Sequence, residues 1–369
     1  MTDRNVESVL DLVRPSIREM SPYVGGVQIS DYENWAKLNQ NEFPYPPAPR
    51  VLEVLDYIKT HPHLLHRYPP GDHKELKKRL SAYLKIQPEQ ISFGNGSDEV
   101  LQNIGLVFLD KGDRYAYGSP DYSMWPNYQK LTGSMPVIIE LPDGYTLPID
   151  EIIKAKPKLA TFSGPNTPSG AATPIKDLDR LVAELDGIFV DDEAYADFAE
   201  DDALELVRSG RYPNLIVTRT FSKAFGLAAE RLGYALGHPD IISRVEAVRL
   251  PYNVTIVTYL MGLAALEPES IEHTRKLVGE IKAERAKLTQ DLTELGFYVR
   301  PSQANFVLAR GRSPAVAKML YDRLAENKVL VRYFDSGRLS DCLRITVGTP
   351  EENERLLEKI RELSKQVSQ

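Results

Sequence analysis

The chain has 369 residues, enough for two or three compact units and for a built active site. Its net charge of −7 argues against nucleic-acid binding through bulk positive charge, and its apolar fraction of 42% argues against disorder. The single cysteine, Cys342, excludes an internal disulfide framework and a cysteine-based zinc or iron–sulfur centre, and it fits a reducing compartment, so we expect a cytoplasmic protein.

The first part of the chain is predicted to be an arm, residues 1–38, which joins the smaller domain. Its first twenty residues carry charges throughout, unlike a secretory signal. Residues 39–49 contain too many prolines for a helix and indicate an extended crossing segment. The longest uncharged stretch, 251–266, is shorter than the roughly 20 apolar residues of a membrane span, so it predicts a buried helix and no membrane partner.

Short β-rich runs alternate with helical ones through the middle of the chain. The runs are residues 91–93, 114–117, 136–140, 159–162, 187–191, 215–218 and 232–236. This alternation is typical of a mainly parallel sheet with helices on both faces. We therefore predict a large α/β domain over residues 39–258.

The pattern changes to long helices in the last third of the chain. Apolar residues spaced by three, four and seven run from Ile271 to Leu295, and Gly296 should end that helix. Strands are predicted at 304–308, 329–332 and 343–347, and helices at 315–326 and after Pro350. These elements predict a smaller α+β domain over residues 259–369.

Lys223 follows one of the predicted strands. Open α/β sheets bind ligands at the carboxyl ends of their strands, and an amine there suits Schiff-base chemistry once its pKa is lowered. A lone lysine is most often a solvated surface residue. Here, however, Ser222 directly precedes it and Arg231 follows it eight positions later.

Ser222 and Lys223, followed by Arg231 and Gly233, resemble the cofactor-lysine signature of the fold-type-I pyridoxal-phosphate aminotransferases. The string SKAFGLA resembles the histidinol-phosphate aminotransferase branch of that family. The resemblance implies the fold-type-I architecture and pyridoxal 5′-phosphate as cofactor. It also implies a Schiff base on Lys223 and cofactor-phosphate contacts from Ser222 and Arg231.

A second motif, Asp-Glu-Ala-Tyr, closes the predicted strand that ends near residue 191. By the same resemblance, Asp192 pairs with the pyridine nitrogen of the cofactor, and Tyr195 donates a hydrogen bond to its phenolic oxygen. Taken alone, an acidic strand end fits a helix cap or a Mg²⁺ ligand equally well.

A glycine-containing turn, residues 94–99, precedes an apolar helix and offers free backbone N–H groups to an anion. The resemblance implies that Ser97 and Asp98 hold the cofactor phosphate here, although a plain helix cap explains the pattern as well. Tyr122, in a Ser-Pro-Asp-Tyr run, matches a family tyrosine that stacks on the pyridine ring.

The fourth motif departs from the family pattern. The family has an asparagine directly before the second proline of this loop, and this chain has Thr167 there, preceded by Asn166. Three arrangements remain open: Asn166 reaches the ring oxygen, the Thr167 hydroxyl reaches it, or Tyr195 acts alone.

Substrate-side residues are predicted in the smaller domain and the arm. Residues 343–349 match the family string Leu-Arg-Ile-Thr-Val-Gly-Thr, which implies that Arg344 binds the substrate α-carboxylate through a bidentate pair. Arg332 occupies the place of a family arginine that holds the substrate phosphate, and Tyr23 resembles an arm tyrosine that touches the same phosphate.

An Arg-Tyr-Pro run implies a homodimer, because the family's tyrosine, here Tyr68, crosses to the neighbouring subunit's cofactor phosphate. The nearby His61, His63 and His66 do not have metal-ligand spacing, because Pro62 precludes regular helical spacing, so we predict no metal.

The implied reaction is transamination between histidinol phosphate and 2-oxoglutarate in histidine biosynthesis, in which Lys223, Asp192 and Tyr195 are the catalytic residues. An aromatic aminotransferase of the same branch shares every cofactor motif and is the nearest alternative. A pyridoxal-phosphate decarboxylase and a non-catalytic sensor on this fold are the others, and no DNA-binding extension accompanies the chain.

Overall fold

The computed structural model describes residues 9–18, 20–22, 25–335 and 337–367. The helices are α1 (Pro15–Arg18), α2 (Pro49–Thr60), α3 (Lys74–Leu84), α4 (Gly96–Phe108), α5 (Trp125–Thr132), α6 (Ile149–Ala155), α7 (Ile175–Glu184), α8 (Leu204–Ser209), α9 (Pro239–Val248), α10 (Ile256–Ala265), α11 (Pro268–Glu294), α12 (Pro314–Glu326) and α13 (Pro350–Val367). The strands are β1 (Ala36–Lys37), β2 (Ile91–Asn95), β3 (Arg114–Ser119), β4 (Met135–Glu140), β5 (Leu159–Ser163), β6 (Ile188–Asp192), β7 (Leu215–Thr220), β8 (Leu232–Gly237), β9 (Tyr298–Val299), β10 (Phe306–Arg310), β11 (Val329–Leu330), β12 (Arg332–Tyr333) and β13 (Cys342–Thr346).

Seven strands form the central sheet, in the order β2-β8-β7-β6-β5-β3-β4. Neighbouring strands from β7 to β4 run parallel, and β8 runs antiparallel to both β2 and β7. The prediction of a mainly parallel seven-stranded sheet is confirmed, because each predicted β-rich run overlaps one of these strands.

Helices cover both faces of this sheet, which explains why its strands are apolar without strict alternation. The strands β5 and β7 are buried along their whole length. Phe162 and Val217 pack into the larger hydrophobic cluster on one face. Val190 and Ile216 pack on the other face, against residues of α4 and α9.

The smaller domain contains an antiparallel sheet in the order β12-β13-β10-β9. The prediction of one strand over residues 329–332 is wrong in detail, because Val331 separates β11 from β12. The first pairs with β1 of the arm and the second with β13, so the chain changes partner at this point. The long helix predicted to end at Gly296 is confirmed: α11 ends at Glu294, and Gly296 adopts a φ of 89°.

The arm and the crossing segment tie the two parts of the molecule together. β1 pairs in parallel with β11, and the main chain at Leu38 accepts a hydrogen bond from Thr346 of β13. Residues 39–49 then lead towards the C-terminal ends of the central strands. The predicted division of the chain at residue 258 stays a prediction; that residue lies within α10.

The predicted buried helix corresponds to α10, and Tyr259, Met261 and Ala265 are among its buried residues. Within the part of the chain that the structure describes, no helix combines the length and the hydropathy needed to cross a bilayer.

Candidate active site

A cavity of about 350 Å³ lies where the C-terminal ends of the central strands face the small sheet. Its lining includes Thr167, Tyr195 and Lys223, which follow β5, β6 and β7, respectively. Residues of the crossing segment and of the small sheet complete it, among them Asn39, Gln40, Asn41, Arg332 and Arg344. This is the edge at which a parallel sheet binds ligands, as the sequence predicts.

Lys223 lies in the turn after β7, with its side chain half-buried. Its Nζ atom is 5.5 Å from the centroid of the Tyr195 ring. Tyr195 is buried, and its ring packs edge-on against Phe306, with 5.0 Å between centroids. The amine and the phenol therefore meet in the same corner of the cavity.

Ser97, Ser222 and Arg231 meet at the beginning of α4. A Cβ atom at Gly96, where φ is 79°, would collide with Nη2 of Arg231, and one at Gly233 would collide with the main-chain nitrogen of Ser97. Nη1 of Arg231 lies 3.5 Å from Oγ of Ser222. A guanidinium, a hydroxyl and the free N–H groups of a helix N-terminus together make an anion site.

The carboxylate of Asp98 is already bonded on both sides. Its Oδ1 accepts hydrogen bonds from the hydroxyls of Tyr122 at 2.7 Å and Tyr128 at 3.0 Å, and its Oδ2 pairs with Arg231 at 3.1 Å. A carboxylate would repel a phosphate, so Asp98 can hold one only through its N–H group and by orienting Arg231 and Tyr122.

Asp192 ends β6 and is 5% exposed. Its Oδ1 accepts a hydrogen bond from Oγ1 of Thr218 at 2.8 Å. Burial raises its pKa to about 7, and the hydrogen bond from Thr218 opposes that shift. A buried carboxylate of this kind is stabilised by a cationic N–H partner.

A buried ion pair lies next to Asp192, and the sequence analysis did not identify it. Arg219 donates to Oε2 of Glu193 at 2.6 and 2.8 Å, and its Nη2 lies 2.7 Å from Oδ2 of Asp202. Alternation along β6 and β7 was its only sequence signal, since one charged residue on each strand points away from the apolar core.

Thr167 and Asn166 have different surroundings. Oγ1 of Thr167 accepts a hydrogen bond from Nη1 of Arg344 at 3.2 Å, and Thr167 lines the cavity. Asn166 uses its amide locally: Nδ2 donates to the carbonyl of Pro120, and Oδ1 accepts from Ser169. The structure thus brings Thr167 to the cavity and gives no support to a cofactor contact from Asn166, which stays a prediction.

Arg332 and Arg344 are direct cross-strand partners on β12 and β13. Residues opposite each other in an antiparallel pair project to the same face of the sheet, and both arginines line the cavity. Arg344 is held by its bonds to Thr167 and to the carbonyl of Asn39 at 3.2 Å, and its guanidinium lies 5.4 Å from the ring centroid of Phe306.

Two predicted site residues are not part of this arrangement. Tyr68 is 81% exposed and stacks on Tyr252, with 4.4 Å between ring centroids. Tyr23 lies outside the described residues. Among those that are described, no group of three or more His, Cys, Asp or Glu side chains could hold a metal ion.

The sequence analysis missed one further cavity residue. Nδ2 of Asn41, in the crossing segment, donates a hydrogen bond to the hydroxyl of Tyr195 at 2.9 Å. The only signal was a polar Asn-Gln-Asn-Glu run before the prolines, and it does not reveal a partner 154 positions away.

The residues present fit pyridoxal 5′-phosphate. The glycines at the beginning of α4 leave room for the guanidinium and the N–H groups that would hold its phosphate. Asp192 is a buried carboxylate suited to a protonated ring nitrogen, Tyr195 a donor suited to the phenolic oxygen, and Lys223 an amine suited to the aldehyde.

Comparison with known proteins agrees with this fit. Residues 33–360 match the family model for aminotransferase class I and II. The chain is 36% identical to histidinol-phosphate aminotransferase 1 of Trichormus variabilis over 350 residues (95% of this chain and 98% of the relative). It is 37% identical to histidinol-phosphate aminotransferase of Syntrophotalea carbinolica over 352 residues (95% and 99%).

The crystal structure of histidinol-phosphate aminotransferase from Sinorhizobium meliloti in complex with pyridoxal 5′-phosphate superposes with a TM-score of 0.85 at 25% identity, covering 95% of this chain and 97% of the other. The chain belongs to the class I and II aminotransferases, which use pyridoxal 5′-phosphate as cofactor.

Proposed function

We propose that this enzyme transfers the amino group of histidinol phosphate to 2-oxoglutarate, a reaction of histidine biosynthesis, and that it works in the cytoplasm. The observation that carries the choice of substrate is the pair of arginines, Arg332 and Arg344, on one face of the small sheet. Two guanidinium groups side by side suit a phosphate dianion, whereas a carboxylate needs only one bidentate partner. The names of the curated relatives support the same substrate.

Each half-reaction uses the same cationic pair. The phosphate of histidinol phosphate occupies the place that the α-carboxylate of glutamate takes in the other half-reaction. Arg344, which Thr167 and Asn39 hold in place, binds the anion in both cases. Arg332 adds the second charge, which the phosphate uses fully.

The chain's own residues move and hold the protons. Lys223 is positioned to accept the proton from the substrate carbon and to return it to the other side of the same system, acting as general base and then as general acid. Bound pyridoxal phosphate supplies the electron sink for this step. Asp192 keeps the ring nitrogen protonated, while Ser97, Ser222 and Arg231 anchor the phosphate.

A second copy of the chain is proposed to complete the site. Tyr68 projects from the surface with its hydroxyl free to reach a neighbour, beside exposed apolar side chains on α2 and around residue 250. These side chains are Leu52, Leu55, Leu65, Leu250 and Tyr252. A patch of this kind is typical of a subunit interface, and we propose a homodimer in which Tyr68 reaches the partner's cofactor phosphate.

The test is the substrate preference of Arg332→Gln, measured as kcat/KM with 2-oxoglutarate as acceptor. We expect a loss of at least roughly 30-fold with histidinol phosphate and a change of less than roughly threefold with phenylalanine, since only the phosphate needs the second cation. Arg323→Gln, an exposed arginine on α12, is the control. Equal losses with both amines, or faster turnover of phenylalanine than of histidinol phosphate by the unaltered enzyme, would contradict the proposed substrate and favour an aromatic aminotransferase.

A further inference from the structure

We propose that Asn41 is a positioning residue, which turns the hydroxyl proton of Tyr195 towards the phenolic oxygen of the cofactor. The proposal rests on the role of Tyr195 proposed above. It adds a residue of the crossing segment that acts on the cofactor through Tyr195.

Asn41 is fixed by its surroundings. The residue is 1% exposed and has a φ of 55°, in the left-handed region that favours glycine or asparagine. Its N–H donates to Oγ1 of Thr346 at 2.9 Å, and its carbonyl accepts from Nδ2 of Asn305 at 3.0 Å. Contacts with the small domain therefore hold the backbone on both sides of the side chain.

These contacts also set the orientation of the amide. Oγ1 of Thr346 accepts the N–H of Asn41, so its own proton is free to donate to Oδ1 of Asn41, 3.3 Å away. With Oδ1 facing that donor, Nδ2 faces Tyr195 and lies 2.9 Å from its hydroxyl oxygen. An amide NH₂ group can only donate, so the hydroxyl oxygen of Tyr195 is an acceptor in this bond.

The proton of Tyr195 must then point to another acceptor. The Tyr195 ring cannot swing away, because it is buried and packs edge-on against Phe306. The cavity side of the hydroxyl is the side of Lys223. Asn41 therefore presets the donor that the phenolate oxygen of the cofactor needs, with no reorientation when the cofactor binds.

The experiment is a spectrophotometric pH titration of the bound chromophore in the holoenzyme, without substrate. A hydrogen bond to the phenolate oxygen favours the deprotonated chromophore and lowers its pKa. Asn41→Asp supplies an acceptor that takes the Tyr195 proton, so we expect the chromophore pKa to rise by about one unit, as in Tyr195→Phe. Asn41→Leu, which leaves the proton without direction, should give a smaller rise.

Two controls separate steering of the proton from added charge. Gln40→Glu adds a carboxylate in the neighbouring position, next to Lys37, and should shift the pKa by less than half as much. In a Tyr195→Phe background, Asn41→Asp should keep only the effect of its charge. Lys223, Asp121, Asp192, Arg332 and Arg344, the other charged groups around the cavity, stay the same in every variant.

Thr346→Val serves if Asn41→Asp does not fold, because it removes the hydroxyl that orients the amide and should also raise the chromophore pKa. Equal shifts from Asn41→Asp with and without Tyr195, or an unchanged titration in Asn41→Leu and Thr346→Val, would overturn the proposal. If Tyr195→Phe itself leaves the titration unchanged, the proposed role of Tyr195 fails and the proposal falls with it. A shift in Tyr195→Phe alone contradicts only the role of Asn41.

Discussion

Arg332 and Arg344 lie directly opposite each other on the antiparallel strands β12 and β13, and both line the cavity that contains Lys223. Like charges at such a cross-strand pair destabilise a sheet unless an anion neutralises them. The pair is therefore a site made for an anion, and the anion it binds fixes the end of the substrate that points away from the amine.

Inorganic phosphate should compete for this pair. We expect phosphate to inhibit the holoenzyme competitively with respect to glutamate, and Arg332→Gln to raise the inhibition constant by roughly tenfold or more, because one of two charge-assisted contacts is lost. Inhibition kinetics over a range of glutamate concentrations measure this. An inhibition constant that is the same in the variant would place the phosphate elsewhere.

Thr167 should act through Arg344. Because its hydroxyl accepts a hydrogen bond from Nη1 of that arginine, Thr167→Ala should raise the KM for glutamate by roughly three- to tenfold. Thr167→Ser keeps the hydroxyl and should stay close to the unaltered enzyme. Steady-state kinetics of the two variants decide the point, and an equal effect of Ala and Ser would mean that the methyl group of Thr167 matters rather than its oxygen.

Asp192 should make the cofactor-free protein sensitive to pH. Its pKa is raised by burial to about 7, so the unfolded chain gives up this proton at a lower pH than the folded protein does. Stability is therefore lost as the pH rises from about 4 to about 7. Asp192→Asn should remove a part of this loss, on the order of 4 kcal/mol at most.

Urea denaturation of the cofactor-free protein at about pH 4.5 and about pH 7.5 measures the difference in the free energy of unfolding. Asp143→Asn changes an exposed carboxylate and is the control. If Asp192→Asn and the unaltered protein lose stability equally over this range, Asp192 is not the buried acid described here.

The Arg219–Glu193 pair should be a structural requirement rather than a catalytic one. Glu193→Ala leaves a buried guanidinium with only Asp202 as an anionic partner, and we expect the free energy of unfolding to fall by about 3 kcal/mol or more. A double variant with methionine at both positions should recover much of that loss. Denaturant titration tests both statements, and a stable Glu193→Ala would show that Asp202 alone suffices.

Tyr68 should matter to the cofactor only through the dimer. Tyr68→Phe is expected to weaken cofactor binding by roughly tenfold, through the loss of one hydrogen bond to phosphate, and to leave the sedimentation coefficient unchanged. Tyr57→Phe alters another exposed tyrosine on α2 and is the control. A monomeric protein in sedimentation velocity that still binds the cofactor fully would contradict the shared site.

The sequence predicts the central sheet and the cofactor residues because both are local signals. Buried parallel strands read as short apolar runs, and Lys223, Asp192 and Ser97 each lie one to three residues beyond the end of such a run. The carboxyl ends of parallel strands meet at one edge, so these motifs were expected to converge, and the structure places Lys223 beside Tyr195.

Contacts between distant segments were not predictable in this way. The bond between Asn41 and Tyr195 joins the crossing segment to the strand edge, and nothing in either local pattern specifies it. The choice between Asn166 and Thr167 likewise depended on which way each side chain turns in a tight loop. The break at Val331 arises because the chain passes from one sheet to another, which periodicity does not record.

The most direct test of the whole account is the site of covalent cofactor attachment. Borohydride reduction of the holoenzyme, followed by digestion and mass spectrometry, should find the cofactor on the peptide that contains Lys223, and no such adduct in Lys223→Ala. A reduced adduct on any other lysine, or none in protein that has taken up pyridoxal phosphate, would contradict it.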